Sequence, residues 1–139
     1  MSKYRAKKDT RMLGKELYEF DSRAEASYFD VLVQQLRENK IRDFSCQPRF
    51  ELTDGFTIPC SKNKSGKSRI GSLHYSPDFR VTGLNGEHII IEVKGMITKD
   101  YRIRLKLFLA KAWESFGVTE FIEVIKGKET RYITKEVSQ

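Results

Sequence analysis

Hydrophobic and polar residues alternate along two neighbouring stretches in the middle of the chain. The alternating apolar positions are Tyr75, Phe79 and Val81 in the first stretch and Ile89, Ile91 and Val93 in the second. A period of two residues is typical of β-strands, and two such stretches joined by a short polar loop predict a β-hairpin over residues 75–95. The three consecutive isoleucines at 89–91 indicate that the second strand is central in its sheet.

The length of the hairpin loop decides which residues face each other. A three-residue loop, Leu84-Asn85-Gly86, suits a type I turn closed by a left-handed glycine. This loop pairs Gly83 with Glu87, and counting back along both strands places Asp78 opposite Glu92. A two-residue loop would instead send the Asp78 side chain to the other face. The turn chemistry therefore predicts that the two carboxylates meet.

Asp78, Glu92 and Lys94 are predicted to share one face of this hairpin. Two carboxylates about 5 Å apart repel each other unless a cation lies between them. Hard cations such as Mg²⁺ prefer carboxylate and water oxygens, and Lys94 is placed to hold a water beside such an ion. The plainer alternative is a solvated strand face with an incidental ion pair. The combination with a buried central strand favours a functional site.

The elements around the hairpin follow from periodicity and capping residues. Apolar spacing predicts one helix over about residues 22–39 and a second from a cap at Thr98 or Asp100 to about residue 116. In the second helix Ile103, Leu107 and Ala110 trace one apolar stripe, which is widened by Leu105, Phe108, Leu109, Ala112 and Phe116. Strands are predicted over residues 44–52, with an edge or bulge at Pro48, over 119–125 and over 131–134. This order predicts an α/β domain with a mixed central β-sheet flanked by helices.

Glu25 has two interpretations that do not exclude each other. Ser22-Arg23-Ala24-Glu25 fits a capping box, in which the Glu25 side chain reaches back to the Ser22 amide. Glu25 also begins the helical stripe that faces the core, and a carboxylate in that position needs a partner or a metal ion. We therefore include Glu25 among the candidate metal ligands.

Two segments are rich in basic residues. Residues 1–20 are predicted to form a basic N-terminal arm ahead of a single domain over residues 21–139. Residues 61–72 carry no apolar periodicity and are predicted to form a mobile loop that contacts DNA. The loop cations are Lys62, Lys64, Lys67 and Arg69. Gly66-Lys67-Ser68 lacks the upstream glycine of a phosphate-binding loop, which excludes a nucleoside-triphosphate site.

Composition narrows the classes of function. The 139 residues suffice for one domain, and the formal net charge of +7 favours a polyanionic partner. Nucleic acid and an anionic membrane surface both satisfy that charge, but the basic residues are not gathered on an amphipathic helix, so we expect no membrane role. Two cysteines and two histidines give neither a disulfide framework nor a zinc site. We expect a cytoplasmic protein.

Ser76-Pro77-Asp78, followed after thirteen residues by Glu92-Val93-Lys94, resembles the paired motif of the PD-(D/E)XK nuclease superfamily. The resemblance extends from Ser22 to about Ile125. It implies a restriction-endonuclease-like core and hydrolysis of phosphodiesters with Mg²⁺ or Mn²⁺. Asp78, Glu92 and the Val93 carbonyl are then the metal ligands, with Glu25 completing the set or recruiting a second ion. Lys94 orients water or steadies a phosphate oxygen.

The same resemblance indicates further contacts with DNA. Gln47-Pro48 ahead of the hairpin also occurs in related phage and transposon end-cleaving nucleases, so Gln47 is expected to line the site, with a plain surface glutamine as the alternative. Lys99, Arg102 and Lys106 lie on the polar side of the second helix, close to the strand that ends at Lys94. We expect them to contact the DNA backbone flanking the cut phosphate, although ordinary solvated helix charges are the alternative.

Small size and basic charge are similar to those of phage-type endonucleases that resolve Holliday junctions. Such enzymes read branched shape and act as two-fold dimers, so we expect branched DNA as substrate, a homodimer, and the cytoplasm of a bacterial host as location if the chain is phage-encoded. A sequence-specific restriction enzyme, a transposon end-cutter and a nicking nuclease of the same fold remain open. The alternative from another class is a basic nucleic-acid-binding module without catalysis.

Overall fold

A computed structural model describes residues 8–135, which form a mixed α/β domain. In chain order its elements are β1 (Asp9–Leu13), β2 (Glu16–Phe20), α1 (Arg23–Arg37), β3 (Ile41–Cys46), β4 (Phe50–Thr53), β5 (Phe56–Pro59), β6 (Lys67–Ile70), β7 (Leu73–Tyr75), β8 (Phe79–Gly83), β9 (His88–Lys94), α2 (Lys99–Lys111), β10 (Glu120–Ile125) and β11 (Lys128–Ile133).

Five strands form the main sheet, in the order β11-β10-β9-β8-β3. The strands β9 and β10 run parallel, with α2 in the connection between them, and the other neighbouring pairs run antiparallel. The sheet is therefore mixed and mostly antiparallel, and β9 lies at its centre, as the isoleucine run predicts. The two-stranded pairs β1–β2, β4–β7 and β5–β6 lie outside it.

The two helices cover opposite faces of the main sheet. Ala26, Phe29 and Leu32 of α1 pack against Ile91 and Val93 of β9. On the other face, residues of α2 pack around Ile90 and against the β4–β7 pair. The face of β9 that carries Ile90 and Glu92 is therefore buried as well, because α2 covers it. Within residues 8–135, neither helix is long and apolar enough to cross a membrane.

The predicted register of the central hairpin is confirmed. Phe79 pairs with Ile91 and Thr82 pairs with His88. The Gly83 N–H donates to the Glu87 carbonyl at 2.9 Å, which closes the three-residue loop. Gly86 has a φ of 85°, the left-handed conformation that this turn requires of its last residue.

The prediction of one strand over residues 44–52 is wrong. The chain forms β3 in the main sheet and β4 in the separate β4–β7 pair. Gln47, between them, has a φ of 52°, and its N–H donates to the Asp78 carbonyl at 2.8 Å. This left-handed residue turns the chain out of the sheet, so Pro48 follows a break between two strands rather than marking a bulge within one.

The described part of the predicted N-terminal arm is a β-hairpin, not an arm. The strands β1 and β2 pair in register, and Phe20 is buried against Phe29 of α1 with ring centroids 5.1 Å apart. Arg11 pairs with Asp30 of the same helix at 2.9 Å. Residues 8–20 therefore belong to the folded domain, because their apolar residues extend its core. The cations Lys3, Arg5 and Lys7 lie outside the described residues.

Residues 61–72 are likewise not simply a loop. Their second half contains β6, which pairs with β5 from Phe56↔Ile70 to Pro59↔Lys67. We refer to residues 56–70, which comprise β5, the connecting turn and β6, as the hairpin arm. The strand β6 escapes sequence analysis because Ile70 is its one apolar residue, and both faces of the arm meet solvent.

The second helix begins at the predicted cap Thr98 but ends at Lys111, short of the predicted residue 116. It packs through part of the predicted apolar face, which includes Leu105, Phe108 and Ala112 but not Ile103. Thr98 caps it by accepting from the Tyr101 N–H at 3.1 Å. The buried positions are Tyr101, Leu105, Phe108 and Ala112. Ile103, assigned to the core from its spacing, is 59% exposed. Two apolar stripes run along this helix, and the aromatic residues of the β4–β7 pair select the one that contains Tyr101 and Phe108.

Candidate metal-binding site

The segment Ser76-Pro77-Asp78 connects β7 to β8 at one end of the main sheet. Pro77 is fully buried and leaves Asp78 as the last residue before the strand. The Asp78 Oδ2 accepts a hydrogen bond from the Val93 N–H at 2.7 Å. Continuing the β8–β9 register by one pair sets Asp78 against Glu92. Asp78 therefore lies beside Glu92, as the length of the hairpin loop predicts.

Glu92 is a buried carboxylate on the central strand. Its side chain lies beneath α2, is 4% exposed and accepts a hydrogen bond from the Tyr75 hydroxyl at 2.7 Å. Burial and the negative charge of Glu92 raise the pKa of Tyr75 far above its ordinary value, so this hydroxyl remains a donor. Tyr75 therefore holds one carboxylate oxygen of Glu92 in a fixed position.

Asp78 is electrostatically coupled to its neighbours. Burial, followed by the hydrogen bond and the charge of Glu92, raises the pKa of Asp78 to about 8. The Val93 N–H and the Lys94 ammonium act in the opposite direction without cancelling the effect. Two carboxylates in one partly buried place are costly to ionise together. A cation beside them would offset that cost.

Glu25 lies at the start of α1, near the same end of the sheet. The Ser22 hydroxyl accepts from the Glu25 N–H and donates to the Glu25 carboxylate, both at 3.1 Å. The cap is therefore present, but the carboxylate binds the Ser22 hydroxyl instead of its amide. Burial and the charge of Asp78 raise the pKa of Glu25 to about 7, against the effects of Ser22 and Lys94.

Lys94 is the last residue of β9 and is half-buried. Its Nζ lies 4.7 Å from the centroid of the Tyr101 ring, a distance typical of a cation–π contact. Lys94 and Glu92 both line a cleft of about 230 Å³ between β7, β9 and the start of α2. The other residues that line it are His74, Tyr75, Ser76, Thr98, Asp100, Tyr101 and Arg104.

A second buried carboxylate beside this cleft, Glu123, is not among the residues predicted from the sequence. Glu123 of β10 pairs with Glu92 across the parallel strands, is buried, and accepts a hydrogen bond from the Tyr101 hydroxyl at 2.5 Å. The alternation Phe121-Ile122-Glu123-Val124 places a carboxylate in an apolar strand, which is the signal that could have drawn attention to Glu123. Tyr101 thereby connects Glu123 to Lys94.

The remaining residues predicted to contact DNA or to line the site do not line this cleft. Gln47 is exposed, and its described hydrogen bond to Asp78 runs from the backbone N–H of Gln47 to the backbone carbonyl of Asp78. Lys62, Lys64, Lys67 and Arg69 lie on the hairpin arm. Lys99, Arg102 and Lys106 are exposed on α2, whereas the α2 residues that line the cleft are Asp100, Tyr101 and Arg104. Sequence analysis does not single out Arg104, which bonds to Asp100 and to the His74 carbonyl.

The donors at this site suit a hard divalent cation. Asp78 and Glu92 offer carboxylate oxygens at one place, and the Val93 carbonyl belongs to the same strand segment. Glu25 is within range of the Asp78 charge but is not gathered with the other two. Over residues 8–135, no three His, Cys, Asp or Glu residues form a ready metal-binding group. The pair Asp78–Glu92 is therefore the part of the predicted ligand set that the fold brings together.

Comparisons with known proteins give a family without an assigned activity. The family model described as "Protein of unknown function (DUF1064)" matches residues 1–134. No curated protein matches the chain. The solved crystal structure of SSO0001 is similar at 14% sequence identity with a TM-score of 0.36, over 81% of this chain and 52% of that one. The chain thus spans about half the length of SSO0001.

Proposed function

The chain belongs to the DUF1064 family of proteins of unknown function, and we propose that it is a Mg²⁺-dependent endodeoxyribonuclease that hydrolyses phosphodiesters in branched DNA. The observation that carries the proposal is the β8–β9 register, which sets Asp78 beside Glu92 with Lys94 on the same strand face. A restriction-endonuclease-like arrangement of the sheet and its two helices forms part of the same proposal.

Each residue has a separate task in this proposal. Asp78 and Glu92 hold the cation, and Tyr75 and the Val93 N–H keep their side chains in place. Glu25, near the start of α1, adds a further negative charge within electrostatic range of Asp78. Lys94, steadied by the Tyr101 ring, donates hydrogen bonds from Nζ to the attacking water or to a non-bridging phosphate oxygen.

The donor set fits Mg²⁺, for which Mn²⁺ is the natural substitute. When bound, such an ion lowers the pKa of a coordinated water and offsets the charge that develops on the phosphate. The chain's own residues supply the geometry. Burial and neighbouring negative charge raise the pKa values of Asp78 and Glu25, so a divalent cation beside them would favour the ionised forms of these carboxyls.

The DNA substrate is inferred from charge and shape. The net charge of +7 and the exposed cations Lys99, Arg102 and Lys106 beside the cleft favour contacts with phosphates. The small size and basic charge of the chain are similar to those of phage-type endonucleases that read branched shape, which favours recognition of DNA shape. We propose a homodimer on the DNA, since paired strands of a junction are cut symmetrically.

Cleavage of a labelled four-way junction tests the proposal. We expect the parent protein to cut with Mg²⁺ and not with EDTA. Asp78→Asn and Lys94→Ala should reduce the rate by roughly 100-fold or more, the cost of losing one transition-state group. The matched control is Arg37→Ala, which removes a cation from the far end of α1. Cutting by both site variants at the parent rate would refute the proposal.

One observation favours the alternative of a non-catalytic nucleic-acid-binding module. Glu92 and Glu123 each accept a hydrogen bond from a buried tyrosine, so each carboxylate already has a structural partner. A purely structural role predicts that the protein binds junctions equally with Mg²⁺ and with EDTA and never cuts them. Linear and flapped DNAs in the same assay separate a junction enzyme from a sequence-specific or nicking nuclease.

A further inference from the structure

The hairpin arm stands clear of the rest of the described chain. Its two strands pair with each other, and neither packs against any other helix or strand within residues 8–135. The turn is held by its own hydrogen bonds, in which Asn63 and Ser65 donate to the Lys67 carbonyl. Isolated two-stranded hairpins are marginally stable in water, so an arm of this kind gains from a partner that covers it.

The arm is amphipathic. Its register sets Phe56 opposite Ile70 and Ile58 opposite Ser68 on one face, because paired residues share a face and successive residues alternate. Phe56, Ile58 and Ile70 are 49%, 45% and 40% exposed. Three large apolar side chains side by side on a protruding ribbon differ from the scattered apolar residues of an ordinary surface.

Charge indicates which partner covers this face. Residues 56–70 contain Lys62, Lys64, Lys67 and Arg69 and no acidic residue. A second arm of the same charge would be repelled, and three side chains fall short of the roughly 800 Å² per partner that a stable protein interface buries. A polyanion with accessible apolar surfaces would match both features of the arm. Its negative charge would pair with the arm's cations, and its apolar surfaces would cover Phe56, Ile58 and Ile70. Nucleic acid with unstacked bases has this character.

The arm is also close to the proposed cutting site in the chain. The strand β6 ends at Ile70, and β7 begins three residues later at Leu73. β7 ends at Tyr75, which donates a hydrogen bond to Glu92, and Asp78 follows three residues further on. The chain from Ile70 to Tyr75 spans at most about 17 Å even when fully extended, or about five nucleotide steps of DNA. One DNA molecule can therefore reach the arm and the cleft together.

We propose that the apolar face of the hairpin arm enters the branch point of branched DNA. Phe56 and Ile58 contact unstacked bases there, and Lys62 and Lys64 in the turn contact the flanking phosphates. Apolar side chains inserted between base steps in this way are known from architectural DNA-binding proteins. The identity of the DNA as branched rests on the proposed function above. The arm gives that function its structural selectivity.

Binding without metal tests the arm separately from cleavage. Fluorescence anisotropy in EDTA compares a four-way junction, carrying 2-aminopurine at the branch, with a linear duplex of the same sequence. We expect F56A/I58A to weaken junction binding by roughly tenfold, to leave duplex binding within about twofold, and to abolish the rise in 2-aminopurine fluorescence. F56W keeps an aromatic face and should retain the preference. Met12→Ala, at an apolar residue exposed elsewhere, is the matched control.

Two results would overturn the inference. One is a junction-to-duplex ratio that F56A/I58A leaves unchanged. The other is conversion of a dimer into a monomer by F56A/I58A in sedimentation, which would assign the apolar face to a second copy of the chain. Failure of the nuclease proposal looks different, because a parent protein that prefers junctions through Phe56 and Ile58 but never cuts them refutes catalysis and supports the arm.

Discussion

Asp78 is the residue on which the proposed metal site depends most. It adjoins Glu92, its charge reaches Glu25, and its carbonyl accepts the N–H of Gln47, which turns the chain between β3 and β4. One residue thus links the proposed chemistry to the path of the backbone. Because its carboxylate is partly buried beside another, Asp78 is expected to lower the stability of the metal-free protein when it is ionised.

The metal-free protein should therefore lose stability as the pH rises. The folded pKa of Asp78 is raised to about 8 and that of Glu25 to about 7, whereas an unfolded carboxyl titrates near about 4. Groups with raised folded pKa values stabilise the fold below the unfolded pKa, and this contribution is lost as the pH passes through the folded pKa. Thermal unfolding in EDTA should give a lower Tm at pH 8 than at pH 5, and Mg²⁺ should restore part of the difference at pH 8.

Asp78→Asn provides the matched variant. Asparagine keeps an oxygen for the Val93 N–H and removes the charge, so we expect it to gain on the order of 1–2 kcal/mol over the parent at pH 8 without metal, and to abolish the effect of Mg²⁺. The same Tm loss in this variant as in the parent would show that Asp78 is not the source.

Tyr101 has two separable contributions. Its ring lies below the Lys94 ammonium, and its hydroxyl donates to buried Glu123. Tyr101→Phe keeps the ring and leaves Glu123 without this donor, so we expect a loss of about 1–3 kcal/mol in urea unfolding with cleavage retained. Tyr101→Leu removes the ring as well and should also reduce cleavage. Equal cleavage by the two variants would contradict a positioning role for the ring.

At the scale of elements, short-range signals predict what neighbouring residues determine. The turn chemistry of Leu84-Asn85-Gly86 yields the β8–β9 register, and with it the meeting of Asp78 and Glu92. Ser22 and Thr98 likewise mark the starts of both helices. These features involve residues a few positions apart, so the sequence contains the information needed to predict them.

Elements that depend on distant partners escape prediction. The break at Gln47 is accompanied by a hydrogen bond from its N–H to the distant Asp78 carbonyl, and no local sequence pattern predicts it. Glu123 meets Glu92 through parallel pairing of β9 with β10, which are separated in the chain by α2. The hairpin arm has no buried face, and β6 contains Ile70 as its one apolar residue, so the sequence gives no strand signal over residues 67–70. Glu25 could be assigned to the site by position, but its distance from Glu92 depends on how α1 packs.

The packing of α2 offers a test of which apolar residues of this helix belong to the core. Phe108 is fully buried against Phe50 and Tyr75, whereas Ile103 on the other stripe faces solvent. We expect Phe108→Ala to lower the free energy of unfolding by about 3–5 kcal/mol and Ile103→Ala to change it by less than about 0.5 kcal/mol. Chemical denaturation of both variants decides the matter. Comparable losses of unfolding free energy in the two variants would show that Ile103 belongs to the core.

At the scale of the whole molecule, positive charge is spread over separate surfaces. The net charge is +7, with one group of cations on the hairpin arm and another on the outer side of α2. Each phosphate that a cation neutralises adds about 0.9 to the salt dependence of DNA binding. The two groups therefore contribute separately measurable amounts.

The triple variant of Lys99, Arg102 and Lys106 to alanine should lower the slope of log Kd against log salt by about 3. Anisotropy titrations of the junction across a salt series measure this slope. Arg37→Ala, at the opposite end of α1 from Glu25, should leave it unchanged. An unchanged slope in the triple variant would show that the α2 cations are ordinary solvated charges.

The proposed function requires a divalent cation bound between Asp78 and Glu92. Anomalous diffraction from crystals soaked in Mn²⁺ measures this directly. We expect a manganese peak at direct coordination distance, about 2 Å, from a carboxylate oxygen of each residue, lost in Asp78→Asn. A soaked crystal with no peak at these carboxylates, or with manganese bound only elsewhere, would contradict it.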